Sequence, residues 1–117
     1  MGMVPVCTAD EIQLASAVRV IVDGQAIALV RDSEGRIFAI GDTCTHGEVS
    51  LSEGFVDDDT IECWAHGSRF DLRNGKALNL PAYEPVPVFK IEISDGRVLV
   101  DPTPLYDYET EGVLTNG

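Results

Sequence analysis

Residues 63–70 read Cys63-Trp64-Ala65-His66-Gly67-Ser68-Arg69-Phe70, and they hold one of only two histidines in the chain, three positions after a cysteine. A lone Cys-x-x-His is a weak signal, since a small domain often pairs a buried cysteine with a surface histidine by chance. Working outward, the other histidine stands in GDTCTHGEV (41–49), two positions after Cys44, and residues 47–62, sixteen in all, separate the two pairs. The four donors are therefore Cys44, His46, Cys63 and His66. Zinc accepts two cysteines and two histidines. A zinc finger, however, draws both cysteines from one turn and both histidines from a helix, whereas each segment here supplies one of each. That distribution suits a two-iron cluster with both cysteines on one iron and both histidines on the other.

The surroundings of these two segments read as β-structure. Short β-rich runs at 18–22 (VRVIV), 25–31 (QAIALVR), 36–40 (RIFAI), 89–93 (FKIEI) and 97–100 (RVLV) alternate with turn signals. Those signals are Asp23-Gly24, Ser33-Glu34-Gly35, Asp57-Asp58-Asp59, Asn74-Gly75 and Asp95-Gly96. Such spacing predicts hairpins in a small antiparallel sandwich or barrel, an all-β domain. Only Thr8 to Leu14 suggests helix, one or two turns with Thr8 as N-cap and Glu11 closing a capping box. The Cys/His segments fall between strands, on loops, the second of them after TIE (60–62). A third loop, LPAYEPVP (80–87), is stiffened by Pro81, Pro85 and Pro87. After Val100 the chain is acidic without alternation, which predicts a loosely packed tail over 102–117 following a domain at 1–101.

A chain of 117 residues, 44% of them hydrophobic, can build one modest core and not two ordinary domains. Eight basic against twenty acidic residues give a net charge of -12, which argues against nucleic acid and against anionic membrane surfaces. A protein partner with a basic face fits better, although acidity also serves solubility alone. The opening stretch MGMVPVCTADEI has neither a basic region followed by an apolar run nor a twin arginine. No run approaches the roughly 18 apolar residues of a membrane span, so the expectation is a soluble, cytoplasmic protein. Three cysteines, two of them matched with histidines, fit a reducing compartment better than a disulfide framework.

The ligand spacing, followed by Gly67-Ser68-Arg69-Phe70-Asp71, resembles the Rieske 2Fe-2S family. The likeness extends to the opening strands, the Asn74-Gly75 turn and the proline loop, over roughly residues 4–101. Within the family it resembles the soluble ferredoxins of bacterial aromatic-ring-hydroxylating dioxygenases. The resemblance implies two packed antiparallel sheets bearing a small cluster-binding subdomain at about 42–87, with the proline loop, including Pro81, covering the cluster. It implies one 2Fe-2S cluster, with Cys44 and Cys63 on one iron and His46 and His66 on the other. In cytochrome bc relatives an extra cysteine in each loop forms a bracing disulfide; Val49 and Ala65 take those places here. Those relatives also direct a serine and a tyrosine hydroxyl toward cluster and cysteine sulfur. Ser68 matches the serine, while Phe70 replaces the tyrosine and cannot donate. The expected potential lies toward the lower part of the Rieske range, roughly -150 mV rather than +300 mV.

Charge counting gives the reason histidine ligation raises the potential. Two ferric ions, two sulfides, two thiolates and two neutral imidazoles sum to zero, so reduction is easier than in an all-thiolate cluster that starts at minus two. The outer imidazole N–H groups of His46 and His66 make them the expected electron exit, with protonation coupled to redox state. Gly47 and Gly67 are expected to let backbone amides approach the sulfides, or to serve only as turn residues. Trp64 shields the cluster, meets a partner or packs in the core. Cys7 reads as a small buried hydrophobe, and Arg69 and Asp71 as structural polar residues at the loop base.

With both histidines consumed, none remains for a mononuclear iron site or to activate a serine or Cys7, and no dinucleotide fingerprint is present. The reading is a monomeric electron carrier, not an enzyme. It docks transiently and electrostatically with a flavin-dependent NAD(P)H reductase and a terminal non-haem iron oxygenase. The alternatives are an accessory factor for iron-sulfur biogenesis, a protein like the nitrite-reductase small subunit, and a zinc-binding interaction module.

Overall fold

The computed structural model describes residues 3–43, 49–65, 67–79 and 86–104. Nine strands form within them: β1 (Val4–Thr8), β2 (Ser16–Val22), β3 (Gln25–Arg31), β4 (Ile37–Gly41), β5 (Phe55–Asp57), β6 (Thr60–Glu62), β7 (Arg69–Asp71), β8 (Val88–Ser94) and β9 (Arg97–Pro104). They pair into a six-stranded antiparallel sheet of order β1-β9-β8-β4-β3-β2 and a three-stranded one of order β5-β6-β7. The all-β, two-sheet expectation is borne out. Among the described residues no helix is long and apolar enough to cross a membrane.

The apolar runs become the centre of the large sheet because they can be buried on both faces. Successive side chains of a strand point to opposite sides. Accordingly Ile27 and Leu29 of β3, with Ile37 and Ala39 of β4, enter one cluster together with Ile12, Phe89, Val98 and Val100. Ala28, Val30 and Ile40 enter the other, with Leu51, Ile61, Cys63, Phe70, Leu72 and Val86. The second cluster is what fastens the small sheet onto the large one. Pro5 lies in β1, which is an edge strand, so its missing N–H removes no interior ladder bond.

Hairpin turns fall where the Asp-Gly pairs predict them. Val22 pairs with Gln25 and Ser94 with Arg97, leaving two-residue turns in which Asp23 and Asp95 take φ of 54° and 53°. Strand β9 continues to Pro104, paired with Phe89, past the point where apolar alternation stops. Gln25 Nε2 donates to Pro102 O at 2.8 Å and ties this extension to the start of β3.

The helix expected over Thr8 to Leu14 is corrected to a single 3-10 turn, Ala9–Glu11. No capping box forms. The Thr8 hydroxyl turns instead to the Asp10 and Glu11 carboxylates, 2.6 and 3.0 Å away. Arg31 Nη1 donates to the carbonyls of Ala9 and Ile12 at 3.0 and 2.9 Å, taking acceptors that a longer helix would use. Ile12 is fully buried in the core, which fixes the chain's exit from the turn.

Candidate metal centre

Of the residues predicted for the site, Cys44, His46, Gly47, His66 and Pro81 lie outside the described residues. Cys63, Trp64, Gly67 and Ser68 lie within them. The stems from which all three loops spring are described as well, and they converge on one end of the molecule.

The first stem closes around residues 44–48. Thr43 and Ser50 form an isolated antiparallel bridge, and Leu51 N–H donates to Asp42 O at 2.6 Å. Asp42, almost fully buried, does most of the fastening through its side chain. It accepts from Ser50 Oγ at 2.5 Å and from Ser52 N–H at 2.9 Å, and meets Arg19 Nε at 3.3 Å. Its own N–H donates to Ala26 O at the start of β3 at 3.1 Å, so the loop is referenced to the large sheet.

The second stem is the β6–β7 hairpin, whose register pairs Glu62 with Arg69. At its end Cys63 N–H donates to Ser68 O at 2.7 Å and Gly67 N–H to Cys63 O at 2.8 Å, which closes a tight turn. Cys63 and Ser68 are both 0% exposed. Trp64 is 52% exposed, so the core-packing alternative for it is ruled out. Gly67 has φ of +75°, while a Cβ there would meet only Glu62 Oε2, at 3.8 Å. Backbone conformation, and not close approach among the described atoms, is what calls for glycine at this turn.

The third stem carries the proline loop. Val86 N–H donates to Gly75 O and Gly41 N–H to Pro87 O, each at 2.8 Å, binding the chain just after residues 80–85 to the framework. Gly75 has φ of +75° and lies so close to Val86 that a Cβ would collide with the Val86 carbonyl oxygen.

The first and second stems lie side by side. Trp64 shares a surface depression with Thr43, Val49 and Ser50, and a Cβ on Gly54 would collide with Glu62 O. The second and third stems meet at Asn79. Its Oδ1 accepts from Arg69 N–H at 2.7 Å and its Nδ2 donates to Gly67 O at 3.0 Å. Leu78 N–H adds a bond to Arg69 O at 2.8 Å. Sequence reasoning missed both Asp42 and Asn79, because their partners lie 8 to 12 residues away and become neighbours only on folding.

The remaining predicted residues fall as follows. Val49 is partly buried against the core, and Phe70, 0% exposed, is wholly inside it. Arg69 Nε lies 3.3 Å from Glu62 Oε1, and Asp71 Oδ1 accepts from Arg73 N–H at 2.8 Å, in keeping with structural roles at the loop base. Cys7 is half-buried against the other cluster, where burial and then the Glu11 carboxylate push its thiol up and keep it protonated.

A buried thiol at a closed turn, two further stems converging on it, and sulfur and imidazole donors carried by those loops fit an iron-sulfur cluster. The Rieske [2Fe-2S] domain pattern matches residues 2–90. The chain belongs to the Rieske 2Fe-2S family. As a member of it, the chain carries one 2Fe-2S cluster, for which cysteine and histidine ligation is standard. The biphenyl dioxygenase ferredoxin subunit of Pseudomonas sp. (strain KKS102) is 41% identical over 102 residues, covering 86% of this chain and 93% of that protein. The solved ferredoxin of carbazole 1,9a-dioxygenase from Nocardioides aromaticivorans IC177 superposes with a TM-score of 0.82 at 31% identity, covering 88% of this chain and all of that one. A chain from the complex of reduced oxygenase and oxidized ferredoxin in carbazole 1,9a-dioxygenase gives 0.83 at 36% identity, covering 90% and 97%. Relatives named ferredoxin subunits bear out an electron-carrier role for this Rieske domain.

Proposed function

We propose that this Rieske protein carries single electrons from an NAD(P)H-dependent flavin reductase to a terminal non-haem iron oxygenase of a ring-hydroxylating system. The observation that supports this most strongly is the 41% identity to a dioxygenase ferredoxin subunit over 93% of that subunit's length. In this reading Cys44 and Cys63 bind one iron and His46 and His66 the other, and the domain runs to the end of β9 at Pro104, past the boundary at 101 expected from the sequence, with the acidic tail after it. The cluster supplies one reversible electron at a potential in the lower Rieske range.

The chain's residues serve to hold and to present. Asp42 clips the loop that carries Cys44 and His46 to the large sheet, and the closed turn at Cys63 withdraws one ligand from water. Exposed Trp64 belongs to the second loop, where an aromatic surface suits a transient contact. Net charge of -12 favours fast, salt-sensitive encounter with basic partner faces. With both histidines engaged as ligands, no imidazole remains to act as a general base, and in this reading the chain works as a carrier.

Purified protein is expected to contain iron and acid-labile sulfide in about equal amounts and to show the EPR signature of a mixed histidine/cysteine cluster. His46→Ala and His66→Ala are each expected to abolish that signature. Reconstitution with a flavin reductase and an oxygenase encoded nearby is expected to give NAD(P)H-driven turnover that depends on this protein. Colourless, zinc-containing protein would overturn the ligation, and turnover unaffected by omitting the protein would overturn the carrier role.

A further inference from the structure

The Asn79 side chain bonds to two backbone positions that follow His66 on the second ligand turn. Its amide nitrogen reaches Gly67 O, immediately after His66, and its oxygen takes Arg69 N–H, where β7 begins. Because the oxygen faces a backbone donor, the orientation of the amide is fixed by its partners. The residue itself is exposed and contributes nothing to either core cluster. It directly precedes residues 80–85, so the same two bonds fasten the Cys63–Ser68 turn to the start of the proline loop.

We propose that Asn79 is a positioning residue for the cluster, locking the second ligand turn to the proline-loop stem and thereby setting cluster retention and reduction potential. The inference rests on the ligation reading above, in which Cys63 and His66 sit on that turn. Within the turn, Cys63 N–H to Ser68 O and Gly67 N–H to Cys63 O fix the shape of the turn. Neither bond fixes where the turn sits relative to the neighbouring loop. That placement is set lower on the stem by Leu78 N–H to Arg69 O and the Phe70–Ala77 bridge, and at the turn itself by Asn79, through one donor and one acceptor that no apolar replacement can reproduce. Partners that orient ligands from outside the ligand set typically change metal affinity by about 10- to 100-fold when removed.

The test compares the holoprotein with Asn79→Ala, Asn79→Asp and, as a surface control, Lys90→Ala. Iron release to a chelator, EPR g-values, reduction potential and thermal midpoint are measured for each. Asn79→Ala is expected to release iron about tenfold faster, with altered g-values and a displaced potential, while the thermal midpoint stays close to wild type. Asn79→Asp keeps an acceptor for Arg69 N–H and loses the donor to Gly67 O, so it is expected to fall between the two. A purely structural role would move the midpoint and leave the potential and g-values alone. Release, potential and g-values of Asn79→Ala matching those of wild type would overturn the proposal, and Asn79→Asp behaving as wild type would overturn the Gly67 bond's part in it. A wild-type protein without the mixed-ligand signature would instead overturn the ligand assignment, a result read before any variant is made.

Discussion

The two ends of the β3–β4 hairpin each hold a buried aspartate, and the pair are put to different uses. At the turn end Asp32 accepts from Glu34 N–H at 3.0 Å, Arg36 N–H at 2.8 Å and Arg36 Nε at 2.7 Å, all within four residues of itself. At the open end Asp42 reaches forward eight and ten residues to Ser50 and Ser52 and across the sheet to Arg19. One carboxylate fastens a turn that sequence alone already favours. The other fastens a long loop with no local reason to close. Each accepts several hydrogen bonds while buried, which repays the cost of desolvating the charge. The difference is in what moves if it is lost, a hairpin in one case and the loop bearing Cys44 and His46 in the other.

The largest expected effect concerns the backbone, where a loop stem and a simple turn can again be compared. Gly75, on the proline-loop stem, and Gly96, in the β8–β9 turn, have nearly the same φ, +75° and +78°, but a Cβ on Gly96 would meet nothing within 4 Å. Gly96→Ala is expected to cost only the left-handed penalty, about 1–2 kcal/mol. Gly75→Ala adds a collision with Val86 O and is expected to cost about 2–4 kcal/mol and to accelerate loss of visible absorption. Denaturant melts of both variants, with bleaching rates, check this. Equal losses would mean that the proline-loop stem is no more tightly built than the β8–β9 turn.

Next, Asp42→Ala and Asp32→Ala are each expected to lower stability by about 1–3 kcal/mol, since each strands buried donors. Only Asp42→Ala is expected to raise the rate of cluster loss, by about tenfold. Iron release measured on both variants separates the two roles, and similar release from both would erase the distinction.

The smallest effect is the response to acid. Burial by itself would raise the Asp32 carboxyl, but the Arg36 backbone N–H, the Arg36 guanidinium and the Glu34 N–H outweigh it and hold the group below its usual value. A carboxylate lowered in the folded state contributes stability that is present above its unfolded pKa, near 4, and lost as pH falls through the folded one. The thermal midpoint is therefore expected to drop as pH falls from about 5 toward 3. Asp32→Asn, which keeps an acceptor for the turn amides, is expected to flatten that decline. An unchanged acid limb in the variant would show that other carboxylates carry it.

The same contrast between local and distant partners explains which features could be read in advance. Run 25–31 was legible as a continuous apolar stretch of strand length, run 89–93 by alternation, and the Asp-Gly turns by left-handed preference, all of which act within a few residues. Strands β5 and β7, three residues each, are too short to display alternation and form only by pairing with β6. The Thr8 capping box misled for a related reason, since the competing acceptors for Arg31 come from a segment some 20 residues away.

By itself the sequence determined the family, the all-β class and the four candidate donors, because ligand type and spacing are written in consecutive residues. Tertiary structure alone decided that Cys63 is buried and Trp64 exposed, and that Asp42 and Asn79 brace the two loops from outside. Burial and bracing depend on which segments meet. The meeting is set by two core clusters that draw alternate residues of β3 and β4 to opposite faces, a sum over many weak contacts that no single stretch of sequence contains.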